Sequence, residues 1–92
     1  MSEGEYLQRL KATIDALPPG SSQDKAARKE LAEALGSIIR ELREQRGWSV
    51  HRLAKKADCN MSAVHHLEQG VNLPGRPLLR RLAWALGQGE SE

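Results

Sequence analysis

The stretch GWSVHRLAKKADCNMSAVHHLEQG, residues 47–70, decides the fold. Two glycines bracket it, and two short helical segments lie between them. Ser49 is placed to cap the first, over residues 50–57, because a serine oxygen can accept from the unpaired N–H groups of an opening turn. Asn60 is placed to cap the second, over residues 61–69. Leu53, Ala54 and Ala57 line one side of the first helix, and Val64 and Leu67 line one side of the second. The small alanines permit a close, steep crossing, and Asp58-Cys59-Asn60 makes a tight corner between the two.

Working outward, the segment before this corner reads as one long helix from about Gln23 to Gln45. Ala27, Leu31, Leu35, Ile38, Leu42 and Gln45 form a stripe of nearly helical period. Gly36 interrupts it, and a kink there is the alternative to a continuous helix. Earlier still, Leu7, Leu10, Ile14 and Leu17 are spaced three, four, three. They make one apolar stripe on a helix over about residues 5–17. Pro18-Pro19-Gly20 stops that helix, since proline lacks a backbone donor and restricts the residue before it. Ser21 or Ser22 can cap the next, with Asp24 and Lys25 in its first turn. After the corner, Val71–Arg76 reads as a loop. Pro77 opens a last helix that ends at Leu86 before Gly87. Leu, Ala, Arg, Glu and Lys dominate the chain, phenylalanine is absent and no alternating segment suggests a strand. The fold class is therefore all-α.

With Val64 and Leu67 turned inward, an advance of about 100° per residue turns Ser62, His66 and Gln69 outward. His65 lies beside them, and Met61 sits at the helix start near the same edge. The formal charge of +2 hides an asymmetry. Residues 1–34 hold five Lys/Arg and six Asp/Glu, whereas residues 35–87 hold nine and four. A local excess of positive charge suits a polyanion.

GWSVHRLAKKADCNMSAVHHLEQG followed by NLPGRPLLRRLAWALG resembles the helix-turn-helix of the lambda-repressor and Cro-like (XRE) family. The markers are the Gly47-x-Ser49 start, Leu53-Ala54, Ala57, Val64, Leu67-Glu68-x-Gly70, Pro74 and the closing Leu82-Ala83-x-Ala85-Leu86-Gly87. No single marker is specific, but the set in register is. The resemblance implies a lambda-repressor-like bundle whose second short helix enters the DNA major groove. It places the base-reading positions on Met61, Ser62 and His66, with His65 beside them. Backbone contacts are expected around the edge, from Ser49, Arg52, Lys55, Asn60, Gln69, Asn72 and Arg76. Of these, Arg76 falls on a family position near the DNA backbone. Glu68 stands at the family's acidic position and Arg43 at that of its basic partner, which implies a structural ion pair. Three positions depart from the pattern. Val50 replaces a glutamine many members set against DNA, Asp58 replaces the usual turn glycine, and Trp48 replaces a smaller apolar residue.

Other classes fit less well. Cys59, His65 and His66 offer three ligand atoms, but adjacent histidines diverge on a helix and the spacing matches no zinc pattern, so no metal is expected. No nucleophile, base and orienting group fall together and no glycine-rich phosphate loop is present, so no catalytic residue, cofactor or enzymatic activity is expected. No apolar run approaches the roughly 20 residues of a membrane span. A single cysteine and the lack of an apolar leader favour a cytoplasmic protein, on the bacterial nucleoid when bound to DNA.

The expected organisation is an N-terminal helical extension over 1–34, a helix-turn-helix domain over 35–87 and a short acidic tail over 88–92. The expected function is a sequence-specific transcriptional regulator, a small repressor bound to double-stranded DNA as a homodimer. The interface would use Leu7, Leu10, Ile14 and Leu17, packed in cis or in trans, together with the outward Trp84. The alternative is a protein-interaction module or an antitoxin that binds a partner protein through the extension.

Overall fold

In the computed structural model, which describes residues 3–15, 17 and 25–88, five helices follow one another and no strand occurs among the described residues. They are α1 (Glu3–Asp15), α2 (Lys25–Gln45), α3 (Val50–Lys56), α4 (Met61–Glu68) and α5 (Arg76–Gln88). The proline-glycine stop at 18–20, the serine cap at 21–22, Asp24 and residues 89–92 of the acidic tail lie outside the described residues.

The long helix is continuous through Gly36, which serves a different purpose from a kink. A Cβ at Gly36 would stand 2.0 Å from the backbone carbonyl oxygen of Leu67. The missing side chain is what lets α4 lie directly against α2. The buried face of α2 is also broader than the sequence stripe. Ala32, Leu35, Gly36, Ile38, Ile39 and Leu42 are buried, Leu31 is half-buried, and Gln45 is exposed. The stripe overshoots at Gln45 because the helix has passed the core by then, and it omits Ile39, which is fully enclosed.

One apolar core joins all five helices. Leu53 and Ala54 of α3, Val64 and Leu67 of α4, and Leu79, Leu82 and Leu86 of α5 share that core with the buried face of α2. Leu7, Leu10 and Ile14 of α1, with Leu17 just beyond it, are buried in the same core. Their stripe is covered within the chain, by α2 and α5. Burying such a side chain contributes about 1.5–3 kcal/mol, so the extension is an integral layer of the core rather than an appendage.

The turns carry the special backbone. Gly47 and Gly70 have φ of +70° and +72°, and Asp58 takes the left-handed conformation at φ 55° in the corner between α3 and α4. Aspartate tolerates that region better than most residues. The Ser49 side chain accepts from the Arg52 N–H at 3.1 Å and caps α3. Asn60 occupies the matching place on α4 but makes no side-chain cap; its carbonyl accepts from Ala63 instead, at 3.1 Å. The last helix begins at Arg76, one residue earlier than Pro77, with the Leu79 N–H bonded to the Gly75 carbonyl at 3.2 Å.

Candidate nucleic-acid interface

The α3–α4 unit is fixed from three sides. Below, Val64 and Leu67 are fully buried. At the end of α4, the Arg43 guanidinium grips the Glu68 carboxylate with two parallel bonds, Nε to Oε2 at 2.7 Å and Nη2 to Oε1 at 2.9 Å. A third Arg43 nitrogen, Nη1, donates to the Trp48 carbonyl at 2.7 Å, so one side chain on α2 holds both α4 and the lead-in to α3. The side chains of the pair are only 13% and 7% exposed. The hydrogen bond to Glu68 holds the Arg43 guanidinium above its usual pKa, against the opposing effect of burial. On the third side, Arg81 of α5 donates to the Asp58 carbonyl in the corner at 3.3 Å.

So held, α4 presents an open polar flank. Met61, Ser62, His65 and His66 are exposed, and Met61 is half accessible at 50%. The two histidine rings are 6.1 Å apart and tilted by 49°, so they project as separate groups. Imidazole and hydroxyl groups can each donate or accept, and a base edge in the major groove offers both kinds of partner. A methionine side chain suits a thymine methyl.

The edge residues fall into three groups. Ser49, Arg52, Lys55 and Asn60 lie exposed along α3 and the corner. Of these, the Ser49 oxygen already accepts the cap bond, leaving its own proton free to donate. Lys55 and Asn60 line a cleft of about 410 Å³ with His51, Cys59 and Met61, between α3 and the start of α4. Gln69 and Asn72 are exposed at the far end of α4. Arg76 stands apart from the others. It is half-buried, and its Nη2 donates to the Leu17 carbonyl, tying the start of α5 to the end of the N-terminal layer. Its other N–H groups are what it has to offer a phosphate.

Sequence reasoning missed the setting of Trp48. The ring is buried against the core and carries three cations over it: Lys56 Nζ at 4.9 Å, Arg46 Cζ at 5.7 Å and Arg52 Cζ at 5.8 Å from its centroid. Each such contact contributes about 0.5–1 kcal/mol at an exposed site. The signal was present as basic residues at −2, +4 and +8 from the tryptophan. The ring thereby fixes Arg52 beside the N-terminal end of α3.

Cys59 is half-buried and packs on the core from the corner. Burial pushes its thiol above the ordinary value, with Asp58 adding to the rise and Arg81 opposing it. Among the described residues, no group of three His, Cys, Asp or Glu side chains is placed to hold a metal ion. Trp84, on the outer side of α5, is 60% exposed. It stands between a groove of about 290 Å³ shared with Lys11, Ile14 and Asp15 of α1 and one of about 530 Å³ shared with Lys56 and Asp58.

Comparison with known proteins gives one result. A family model described as a helix-turn-helix domain matches residues 34–92, more than half of the chain. No curated protein matches the chain, and no solved structure does.

Proposed function

The chain belongs to the helix-turn-helix domain family, in line with its resemblance to lambda-repressor and Cro-like proteins, and on that premise we propose that it is a sequence-specific transcriptional regulator, a small repressor that occupies a two-half-site operator as a homodimer. One observation carries the reading. A single short helix buries Val64 and Leu67 completely while Ser62, His65 and His66 on its opposite side stay open to solvent. The interaction-module or antitoxin reading would instead have this face buried against another protein chain.

In this reading α4 lies in the major groove. Ser62 and His66 hydrogen-bond base edges, Met61 packs against a thymine methyl and His65 reaches a neighbouring edge. Arg52 and Lys55 meet phosphates on one side of the groove, Asn60 at the helix start, and Gln69, Asn72 and Arg76 on the other side. Phosphate contacts set the register, and the four α4 side chains choose the sequence. No arginine stands among those four, so each base contact is worth no more than the roughly 1–3 kcal/mol of a good bidentate pair. A second copy one DNA turn away, about 34–36 Å, makes up the specificity. The homodimer forms through the face around Trp84, a large aromatic of the type that dominates interface energetics. The stripe of α1 is already engaged within the chain.

Selection of genomic fragments by the purified protein, followed by footprinting, tests the reading. His66→Ala should change the preferred base at one position in each half-site. Lys55→Ala should weaken all sequences alike; Lys55 is the better probe than Arg76, whose bond to Leu17 mixes binding with stability. Binding that neither substitution alters would mean that DNA meets some other face.

A further inference from the structure

Three cations stand together at the start of α2, ahead of the region the family model matches. Lys25, Arg28 and Lys29 are spaced i, i+3 and i+4, so they share one face of the helix. That face forms one wall of a groove of about 610 Å³, and the loop after α4, with Gln69, Val71 and Asn72, forms the other. The loop is held there by Gly70, whose φ of +72° turns the chain back against α2. A Cβ at that position would stand 2.5 Å from the Glu33 side chain. Glu33, one turn further along α2, also lines the groove, so its lining carries three cations and one carboxylate. None of the three cations is in an ion pair among the described residues.

The place of this groove gives its partner. Its far wall holds Gln69 and Asn72, which follow α4 directly in the chain and take phosphates in the function proposed above. A surface continuous with that edge faces the next stretch of sugar–phosphate backbone, where a duplex presents one negative charge per roughly 1.7 Å of axis. Lysine and arginine on a long helix, projecting into an open groove, suit a row of phosphates and give no base discrimination.

We propose that the groove between the first turns of α2 and the loop after α4 is a second phosphate-binding surface, in which Lys25, Arg28 and Lys29 grip the DNA backbone flanking the half-site. It rests on the DNA-binding reading and deepens it. The N-terminal extension thus has a share in the ligand as well as in the core, and the footprint is longer than the helix-turn-helix unit alone would leave.

The test compares the full chain with a Lys25→Gln/Arg28→Gln/Lys29→Gln variant on a random-sequence duplex of about 30 base pairs, close to three turns. Affinity is measured by fluorescence anisotropy over a range of salt. Each neutralised phosphate adds about 0.9 to the logarithmic salt slope, so the variant should lose about 2–3 units of slope. On an operator fragment from the genomic selection, ethylation interference should mark phosphates outside the half-site for the parent protein and not for the variant. Arg28→Lys, which keeps the charge, should retain the slope, and matching circular dichroism spectra should show that glutamine has not unfolded α2. Equal slopes for parent and triple variant, with the parent binding well, would overturn this inference alone and point to an acidic protein segment as the groove's occupant. If the parent binds no duplex even at low salt, the regulator reading fails and this one with it.

Discussion

Arg43 and Glu68 show how much a single side chain decides here. They lie 25 residues apart, yet their forked contact at 2.7 and 2.9 Å connects the long helix to the end of α4. Removing one member leaves the other charged and nearly enclosed, which costs about 3–5 kcal/mol for a buried pair. Arg43→Ala should therefore lower unfolding stability in urea by about that much, and Glu68→Ala by a similar amount. An Arg43→Met/Glu68→Leu double variant should recover much of the loss, because no orphaned charge remains. Cys59 gives a second residue-scale expectation. Its raised thiol pKa means that less thiolate is present at neutral pH than on an unfolded chain. Alkylation by iodoacetamide should then be slower for the folded protein, with its rise displaced to higher pH. The linked effect on stability has a definite sign. Above the unfolded thiol's pKa the folded state holds more protons, so stability is full below that pH and declines as pH climbs toward the folded value. Cys59→Ala should remove that slope. The Arg43 and Glu68 positions were legible because family register names them. The three cations over Trp48 were not, because a list of basic residues does not say which ring they surround.

Among the helices, the crossing of α2 and α4 is the joint on which the second helix of the helix-turn-helix is mounted. It depends on Gly36, which a sequence reading treats as a helix weakness costing about 1 kcal/mol against alanine. The crossing reverses that expectation. Gly36→Ala would place a Cβ 2.0 Å from the Leu67 carbonyl oxygen, and that atom is backbone and cannot swing aside. Overpacking of this kind costs about 1–3 kcal/mol and outweighs the propensity gain. Net destabilisation of about 2 kcal/mol in thermal or urea unfolding is expected, with weakened DNA binding as α4 is pushed outward. Gly4→Ala is the matched control. Nothing lies within 4 Å of its added methyl group, so α1 should gain about 0.5 kcal/mol. If both substitutions stabilise, the helices do not cross as described. At this scale the sequence was readable where a short helix turns one narrow apolar face inward, as with Leu53, Val64 and Leu67. It fell short where α2 meets α1, α4 and α5 together. There the buried face is wider than one stripe, and Ile39 is enclosed from a side the stripe does not show. Asn60 is a different kind of miss. Its residue type suits a cap, but the side chain makes no cap bond in the corner.

For the molecule as a whole, the question is which apolar surfaces belong to the fold and which to association. A stripe such as Leu7, Leu10, Ile14 and Leu17 says that something must cover it, but spacing alone cannot say whether the cover is the same chain or another. The structure supplies it from α2 and α5, with Leu10 wholly enclosed. Trp84 lies on the outer side of the same layer and remains 60% exposed. Substitution can separate these two roles. Leu10→Ala opens a cavity in the core and should cost about 2–5 kcal/mol of unfolding free energy. Because the contact is intramolecular, that loss should persist at any protein concentration. Trp84→Ala removes little from the folded single chain, and its unfolding free energy as a monomer should stay within about 0.5 kcal/mol of the parent. It should instead weaken self-association by about 2 kcal/mol or more, which is roughly a thirtyfold rise in the dimer dissociation constant by sedimentation equilibrium. The parent's melting temperature should rise with concentration and that of Trp84→Ala should not, since only a species that binds the folded state shifts unfolding by mass action. Were Leu10→Ala to act only on association and Trp84→Ala only on folding, the roles of the two surfaces would have to be exchanged, and with them the interface of the proposed homodimer.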